Sequence, residues 1–229
     1  MESSGRYRYR PAAMLYAYGQ DWFSPYLSQP VRELLDAGPQ ARSLLRSPRS
    51  DDVCILFTDI RGFTELSRSI RPDALFRTLD ACIGRQIRII ERYGGYVDNF
   101  TGDGLMAVFE GARMTGDACR CALEVVARAL PAVRRGGTGL TPIGAGLHCG
   151  EVARGTLGSE NRLTHTAVGN AVNRAARLAG LARGRDVIIS EAIRRTLCPA
   201  LAGRFVPMPL DNQYSEMDAG SPVYRSRRD

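Results

Sequence analysis

The segment ILFTDIRGFT, residues 55–64, sets an acidic residue at the end of a short apolar run and follows it with a glycine turn. An apolar run of this length predicts a buried β-strand, and the turn predicts the start of a helix. A carboxylate at the end of a buried strand is costly unless a positive group meets it. Asp59 is therefore the first candidate functional residue.

Helix and strand patterns alternate along the rest of the chain. One long helix is expected from Pro72 to Gly94-Gly95, and a second over 114–132. YVDNF and LMAVF predict two strands joined by the turn TGDG. Apolar faces are expected at residues 75, 79, 83, 87 and 90 of the first helix and at 118, 122, 125 and 129 of the second. The later elements are a glycine-rich hairpin at 143–158, a strand at 164–168, a helix at 169–182 and a strand at 186–190.

This order of elements predicts an α+β domain in which helices cover a mostly antiparallel sheet. The β-α-β-β-α-β order of the first half is that of the ferredoxin-like arrangement. We expect the compact domain to occupy residues 51–229. Residues 1–50 are expected to form an arm and a helical lead-in that is broken by Pro30 and Gly38.

The composition excludes several kinds of chemistry. All 31 basic residues are arginine, so no role that needs a lysine ammonium can be filled. The net charge of +7 raises the question of nucleic acid, but the arginines are dispersed and no aromatic–basic platform accompanies them. We therefore expect no nucleic-acid partner. The six cysteines lack the spacing of a zinc or redox motif and are expected to be reduced.

The sequence shows no sign of membrane insertion or export. No apolar stretch approaches the roughly 20 residues that span a bilayer. The N-terminal residues lack the apolar core of a secretory signal. We therefore expect a cytoplasmic protein with no membrane partner.

Asp103, in the turn TGDG, is the second candidate functional residue. If its strand neighbours the strand that ends at Asp59, two carboxylates converge at one edge of the sheet. Such a pair repels unless a divalent cation lies between, and oxygen ligands of this kind suit Mg²⁺ or Mn²⁺. Paired ions can clamp the attacking and leaving oxygens of a phosphoryl transfer. The alternative is that Asp103 only serves its turn, since Gly-Asp-Gly is ordinary turn chemistry.

The predicted helix at 169–182 has a divided surface. Asn173 and Arg177 lie one turn apart, and an amide and a guanidinium so placed can hold a ribose oxygen and a phosphate oxygen. The alternative is a solvated polar face. The polar ridge comprises Asn170, Asn173, Arg174 and Arg177, and the side expected towards the core comprises Val172, Ala175, Ala176 and Ala179.

Four segments, in their order and spacing, resemble the catalytic domain of class III nucleotidyl cyclases: ILFTDIRGFT, GGYVDNFTGDGLMAVF, GLHCGEV and THTAVGNAVNRAARL. The resemblance spans roughly residues 51 to 190. It implies conversion of a nucleoside triphosphate to a 3′,5′-cyclic nucleotide and pyrophosphate, with two divalent ions, Mg²⁺ or Mn²⁺. It also implies a homodimer, because in this family the active site lies between two subunits.

The resemblance assigns a role to individual residues. Asn173 and Arg177 match the ribose-orienting and transition-state residues, which reach the metals of the other subunit. The implied metal ligands are Asp59, Asp103 and the carbonyl of Ile60, and the implied triphosphate contacts are Gly62, Phe63 and Thr64.

The base-reading positions depart from the family pattern. Asn99 stands where many adenylate cyclases have a lysine, and Thr166 matches its partner position. His165 stands where tyrosine or phenylalanine is usual. Asn99 and Thr166 are neutral donor–acceptors, so neither fixes the polarity of a base edge.

The substrate base therefore stays open in the sequence. An altered pocket on a short chain also resembles the pyrimidine cyclases of bacterial antiphage signalling, which make cyclic CMP or cyclic UMP. A pyrimidine triphosphate and ATP are equal candidates, ahead of GTP. The alternative function is a degenerate domain that binds nucleotide without catalysis. For the missing phosphate-binding lysine, Arg204 or Arg225 is a candidate substitute, and Glu151 stands where some relatives have an arginine.

Overall fold

The structure, a computed structural model, describes residues 24–38, 47–129, 142–159, 162–209 and 221–227. A sheet of eight strands lies at its centre. The strands are β1 Arg49–Ile60, β2 Tyr96–Thr101, β3 Gly104–Phe109, β4 Ile143–Ser159, β5 Arg162–Val168, β6 Val187–Ser190, β7 Phe205–Met208 and β8 Val223–Ser226. The helices are α1 Gln29–Asp36, α2 Phe63–Ser69, α3 Pro72–Arg92, α4 Met114–Arg128, α5 Asn170–Leu181, α6 Glu191–Arg194 and α7 Pro199–Ala202.

The strand order confirms the predicted fold class. The order across the sheet is β2-β3-β1-β4-β6-β8-β7, with β5 paired to β4. The β4–β6 pair is parallel, and the other described pairs are antiparallel. The β1-α3-β2-β3-α4-β4 portion has the ferredoxin-like order, with β1 in the middle of four strands. The end of β1, which carries Asp59, and the turn between β2 and β3, which carries Asp103, therefore lie beside each other.

Side chains alternate across β1 and divide the core into two layers. Cys54 and Leu56 are buried on one face, against α3, α4 and α6. Val53 and Ile55 are buried on the other face, under α5. The inward residues predicted for α4 (118, 122, 125 and 129) are fully buried. Four of the six cysteines (54, 82, 119 and 121) are buried in the first layer, as free thiols.

The predicted hairpin at 143–158 is wrong, because β4 is one continuous strand of 17 residues. Residues 143–154 pair with β1, and residues 153–159 pair with β5. The glycines of the first half allow close approach rather than a turn. A Cβ at Gly146 would lie 1.9 Å from the backbone nitrogen of Ala179, and one at Gly144 would lie 2.8 Å from the Cβ of Ala182.

Three smaller predictions also need correction. Pro30 does not break the lead-in helix, since it lies in the first turn of α1, where proline is tolerated. Ala176 is exposed rather than core-facing. The fully enclosed face of α3 is offset from the predicted stripe, because Leu75, Leu79, Ile83 and Ile87 are only half-buried. The buried residues of α3 are Cys82, Gln86, Ile89 and Ile90, and those of α5 are Ala171, Ala175, Leu178 and Ala179.

The contact of α5 with Gly146 leads to a test of stability. Gly146→Ala is expected to lower the free energy of unfolding by about 3 kcal/mol or more, because the added methyl group meets backbone that cannot rotate away. Gly180→Ala in α5 is the matched control, since nothing lies within 4 Å of its added Cβ. The control should be neutral or should stabilise by up to about 1 kcal/mol. Denaturant titration measures both; equal values for the two variants would contradict the packing.

Candidate functional site

Asp59 and Asp103 lie together at one edge of the sheet. Asp59 is the penultimate residue of β1, and Asp103 occupies the turn between β2 and β3. Burial and the neighbouring Asp59 carboxylate raise the pKa of Asp103 to about 6. The structure therefore places two carboxylates close enough to repel each other and to share a hydrogen bond.

Close backbone contact between β1 and β3 holds these carboxylates in place. A Cβ at Gly104 would lie 1.9 Å from the carbonyl oxygen of Thr58, so only glycine lets β3 approach there. Gly102 has a φ of +79°, which the turn requires and which side chains rarely adopt. The buried Thr58 hydroxyl donates to Gln86 of α3 at 2.7 Å and accepts from the Leu105 amide at 3.3 Å. The residues around both acids are thus tied to the core.

Arg61 is a positive partner of Asp59 that sequence reasoning did not identify. Its guanidinium forms an ion pair with the Asp59 carboxylate, and its side chain is 23% exposed. Its backbone amide donates to the Pro142 carbonyl at 2.9 Å, which fixes the chain at this point. The pattern Asp-Ile-Arg contained the signal, since residues two apart at a strand end can lie on the same side of the chain.

The two carboxylates at this edge are suitable ligands for a divalent cation. Two half-buried carboxylates whose repulsion raises the pKa of one of them would be relieved by a shared positive charge. Across the described ranges, no group of three or more His, Cys, Asp or Glu side chains comes together in a way that could hold a metal ion, so this pair has no third ligand of these types. A cation here would complete its shell with backbone carbonyls, substrate oxygens and water, as Mg²⁺ usually does.

The other residues predicted beside the metals lie next to this pair. The Ile60 amide donates to the Asp103 carboxylate. Gly62 precedes α2 with a φ of +67°, in the left-handed region that favours glycine. Phe63 packs against the core, whereas Thr64 is exposed. The turn after β1 therefore runs directly from the carboxylates into α2.

The polar ridge of α5 lies away from the core, as predicted. Asn170 and Asn173 are exposed, and Arg174 and Arg177 are half-buried. Asn173 and Arg177 lie one turn apart on a helix whose opposite side packs on β4 and β1. The helix is thus fixed to the sheet and presents an amide and a guanidinium on its outer side.

Two of the three residues predicted to read a base line a separate cleft of about 730 Å³, and the third, Thr166, is not among its lining residues. Asn99 and His165 line this cleft, whereas Asp59 and Asp103 do not. The His165 ring contacts the Thr156 hydroxyl at 3.2 Å, and burial lowers the pKa of His165. One chain therefore holds two separate groups of candidate residues, one with the carboxylate pair and one around the cleft.

Asp98 is a cleft residue that the sequence reading missed. Thr166 donates its hydroxyl hydrogen to the Asp98 carboxylate, so β2 and β5 are joined although they do not pair in the sheet. Burial raises the pKa of Asp98 to about 6. The register of β2 shifts between Val97 and Asn99. The family resemblance assigned the base-reading position to Asn99, whereas the residue that contacts Thr166 is Asp98, which lies at this shift in register.

The lead-in segment forms part of the same cleft. Tyr26, Gln29 and Arg32 line it opposite the candidate base-reading residues. Tyr26 is 78% exposed. Sequence reasoning gave these residues no place in a site, because contacts between an N-terminal segment and a distant strand leave no local pattern.

The two positions proposed for the missing lysine lie near each other, because Arg204 immediately precedes β7 and Arg225 of β8 pairs with Val206 of β7. Arg204 follows α7 and is exposed, and Arg225 lies in β8 opposite Ile188. Glu151 is exposed on β4 opposite Asp52. Residues 210–220 lie outside the described ranges, so the region between β7 and β8 gives no further assignment.

Comparison with known proteins gives a consistent result. Residues 45–209 match the sequence model of the family described as "Adenylate and Guanylate cyclase catalytic domain". An adenylate cyclase of Anabaena cylindrica is 37% identical over 159 residues, which is 63% of this chain and 31% of that protein. Adenylate cyclase 1 of Rhizobium meliloti is 31% identical over 158 residues, which is 65% of this chain and 24% of that protein. The chain thus spans a third or less of these relatives.

Solved structures show the same fold. A bacterial light-regulated adenylyl cyclase aligns with a TM-score of 0.78 at 24% identity, over 94% of this chain and 63% of that one. The catalytic core of a rhodopsin-guanylyl cyclase with converted specificity aligns with a TM-score of 0.69 at 23% identity, over 80% of this chain and 99% of that one. None of the helices in the described part of the chain is both long and apolar enough to cross a membrane.

Proposed function

The chain belongs to the adenylate and guanylate cyclase catalytic-domain family, and from this we propose that it converts a nucleoside triphosphate into a 3′,5′-cyclic nucleotide and pyrophosphate. The observation that carries the proposal is the convergence of Asp59 and Asp103 at one edge of the sheet, where burial and the Asp59 carboxylate raise the pKa of Asp103. In the reaction, the ribose 3′-oxygen bonds to the α-phosphorus and the bond to the β-phosphate oxygen breaks. The 3′-hydroxyl proton is released, and pyrophosphate leaves.

Two divalent ions, Mg²⁺ or Mn²⁺, would be held by Asp59, Asp103 and the Ile60 carbonyl. Bound there, they would supply positive charge that favours ionisation of the 3′-hydroxyl and neutralises the triphosphate. Asp59 and Asp103 anchor that charge at a fixed point, since Gly104 and Thr58 lock their strands together. Gly62 and the first two residues of α2, Phe63 and Thr64, would lie along the triphosphate.

Asn173 and Arg177 complete the site in this proposal. Asn173 orients the ribose by hydrogen bonds from its amide. Arg177 places a guanidinium against the α-phosphate, where negative charge grows as the bond to the leaving pyrophosphate breaks. Both residues project from a helix whose other side is packed on the sheet, so the backbone that carries them is held in place.

The complete site would form between two copies of the chain. Within one copy the cleft that holds Asn99 and His165 does not include the carboxylate pair. Exposed apolar side chains on the β4–β5 ribbon and β2 favour association: Leu157, Leu163 and Phe100 are each more than half exposed. We propose a homodimer in which one copy supplies Asp59 and Asp103 and the other supplies Asn173 and Arg177.

Two substrate classes remain in this proposal. The relatives from Anabaena cylindrica and Rhizobium meliloti are named adenylate cyclases, which supports ATP. The neutral Asn99 in place of a lysine and the resemblance to antiphage pyrimidine cyclases support CTP or UTP, with the product as an antiviral second messenger. A degenerate, non-catalytic domain is disfavoured because both metal-ligand acids, Asn173 and Arg177 are all present.

The test is direct assay of the purified protein with each of the four nucleoside triphosphates and Mg²⁺ or Mn²⁺. We expect a cyclic nucleotide and an equal amount of pyrophosphate from at least one of them, and neither product in the presence of EDTA. Triphosphate hydrolysis to a linear monophosphate, or metal-independent turnover, would contradict the proposed reaction.

A further inference from the structure

We propose that Arg61 competes with divalent cations for Asp59, and that its guanidinium, once released from Asp59, binds the triphosphate of the nucleotide. Arg61 would thus link metal binding to nucleotide binding in a chain that has no lysine. The inference rests on the proposed cyclase function and adds to it a residue that contacts the substrate. The observation from which it starts is the ion pair between Arg61 and Asp59.

The side chain of Arg61 lies against the strand next to Asp59. Gly144 of β4 is paired with Asp59 in the sheet. A Cβ at Gly144 would lie 3.0 Å from the Nε of Arg61 and 2.8 Å from the Cβ of Ala182, at the end of α5. The guanidinium therefore rests on the bare backbone of β4 beside Asp59, in space that the missing side chain of Gly144 leaves open.

The surroundings of the guanidinium match its charge but not its hydrogen bonds. One terminal nitrogen of Arg61 pairs with the Oδ2 of Asp59. That nitrogen and the Nε are both buried, and none of the described residues accepts a well-aligned hydrogen bond from either. Buried N–H groups without acceptors cost free energy. The charge of Asp59 is therefore the main attraction that holds Arg61 in this place.

Arg61 and a divalent cation would share one carboxylate. The Oδ2 of Asp59 already has a positive neighbour, and the carboxylate also shares a hydrogen bond with Asp103. Arg61 loses the competition at equal distance, because a doubly charged ion has about twice the Coulomb attraction of a guanidinium. Arg61 nevertheless lowers the affinity of the site for the metal, since either the ion pair is lost or two cations repel each other.

The released guanidinium has a favourable place to go. Without the charge of Asp59, Arg61 would keep only buried N–H groups that lack acceptors, whereas 23% of its side chain is already exposed. The chain continues from Arg61 into Gly62 and α2, where the triphosphate would lie. A guanidinium binds phosphate oxygens through paired hydrogen bonds. Arg61 therefore weakens metal binding without nucleotide and strengthens nucleotide binding once metal is present.

Binding of Mn²⁺ without nucleotide tests the first part of the inference. Arg61→Gln removes the positive charge and keeps a side chain of similar length. We expect this variant to bind Mn²⁺ roughly tenfold more tightly than wild type, measured by electron paramagnetic resonance of the free ion. Arg61→Lys should stay within about threefold of wild type, because the charge remains. Arg68→Gln makes the same change at an exposed position of α2 and is the matched control, with no effect expected.

Thermal unfolding separates this role from a merely structural one. In EDTA, Arg61→Gln should melt at a lower temperature than wild type, because Asp59 and Asp103 lose their positive neighbour. Addition of Mn²⁺ should then raise the melting temperature more in this variant than in wild type. A residue that only supported the turn would give lower stability and weaker metal binding together when replaced. Arg61→Met, also neutral and of similar length, provides the same test if the glutamine variant does not fold.

Binding of inorganic tripolyphosphate tests the second part. At saturating Mn²⁺, tripolyphosphate presents the phosphate groups of the substrate without ribose or base. We expect calorimetry to show roughly tenfold weaker binding to Arg61→Gln than to wild type or to Arg68→Gln, because a charged contact is lost. For a triphosphate that the protein cyclises, Arg61→Gln should raise KM and leave kcat nearly unchanged.

The results distinguish this inference from the proposed function. If cyclic product forms but Arg61→Gln binds Mn²⁺ no more tightly than wild type, or binds tripolyphosphate equally well, the inference is overturned and the proposed function stands. If no triphosphate is cyclised but Arg61→Gln binds Mn²⁺ more tightly and tripolyphosphate more weakly, the proposed function fails and the role of Arg61 stands. Equal changes in Arg68→Gln would also overturn the inference, because they would show an effect of net charge alone.

Discussion

Asp59→Asn is expected to lower cyclic nucleotide formation by roughly a thousandfold or more, with the fold and the association of the chain preserved. The carboxylate is one half of the pair that would hold the metal ions, and an amide binds a divalent cation much more weakly than a carboxylate does. Asp59 is 42% exposed in its side chain, so the substitution leaves no buried cavity. Initial rates at saturating metal measure the loss of activity. Circular dichroism and sedimentation test whether the fold and the association of the chain are preserved.

Asp103→Asn should cause the same loss of activity but should stabilise the metal-free protein. Burial and Asp59 raise the pKa of Asp103 to about 6 from an ordinary value of 3.8. Between these values the native state binds more protons than the unfolded state, so stability falls as pH rises through this window. In EDTA at pH 8 we expect a gain of roughly 1 kcal/mol for the variant, a value reduced for the exposed part of the carboxylate. At pH 3.5 the gain should vanish.

The Asp80→Asn variant, at an exposed position of α3, is the control for both experiments, and it should change neither rate nor stability. Addition of Mg²⁺ should raise the melting temperature of the wild-type protein more than that of either site variant, because a cation that binds only the native state stabilises it. Full activity in Asp59→Asn, or a destabilised Asp103→Asn protein at pH 8, would show that the two acids do not form the metal site.

Mixing two inactive variants should restore activity if the site is shared between copies. Asp59→Ala and Arg177→Ala are each expected to be inactive alone. A mixed dimer of the two has one site in which the metal ligands of one chain meet the arginine of the other, both intact. With random association, about half of the dimers are mixed and each has one working site, so the mixture should reach about one quarter of wild-type activity.

The control for this experiment is a mixture of Asp59→Ala with Asp103→Ala. Both changes lie in the same half of the site, so no mixed dimer contains an intact site and the mixture should stay inactive. Subunit exchange can be ensured by co-expression with different affinity tags. A strictly monomeric active protein, or equal recovery in both mixtures, would contradict the shared site.

Much of the fold could be predicted because its signals are local. The buried strand that ends at Asp59, the turn around Asp103 and the helix that carries Asn173 and Arg177 each follow from the composition of a short segment. Asp98 could not be found in this way, because it reaches Thr166 only through a register shift in β2 that depends on the neighbouring strand. The ion pair between Arg61 and Asp59 was not predicted, although their spacing of two residues at a strand end allows it.

The glycines of β4 show a second limit of sequence reading. A glycine-rich segment predicts turns, yet the glycines here allow a helix and a strand to come into close contact. A high glycine content does not distinguish a turn from a strand that packs closely against a helix. Both structures need residues without a side chain. Only the position of Ala179 above Gly146 decides between the two cases.

The backbone contact between α5 and β4 at Gly146 also restricts how such an enzyme could be regulated. The main chain of α5 lies directly against the main chain of β4 there, with no side chains between them. A shift of the helix over the strand would therefore bring backbone atoms into steric conflict. If two copies share the site as proposed, adjustment around a nucleotide is expected to come from rigid displacement of one copy against the other. Under the same proposal, a tether, sensor or cross-link that alters the contact between the copies would slow turnover without contacting any group that holds the nucleotide.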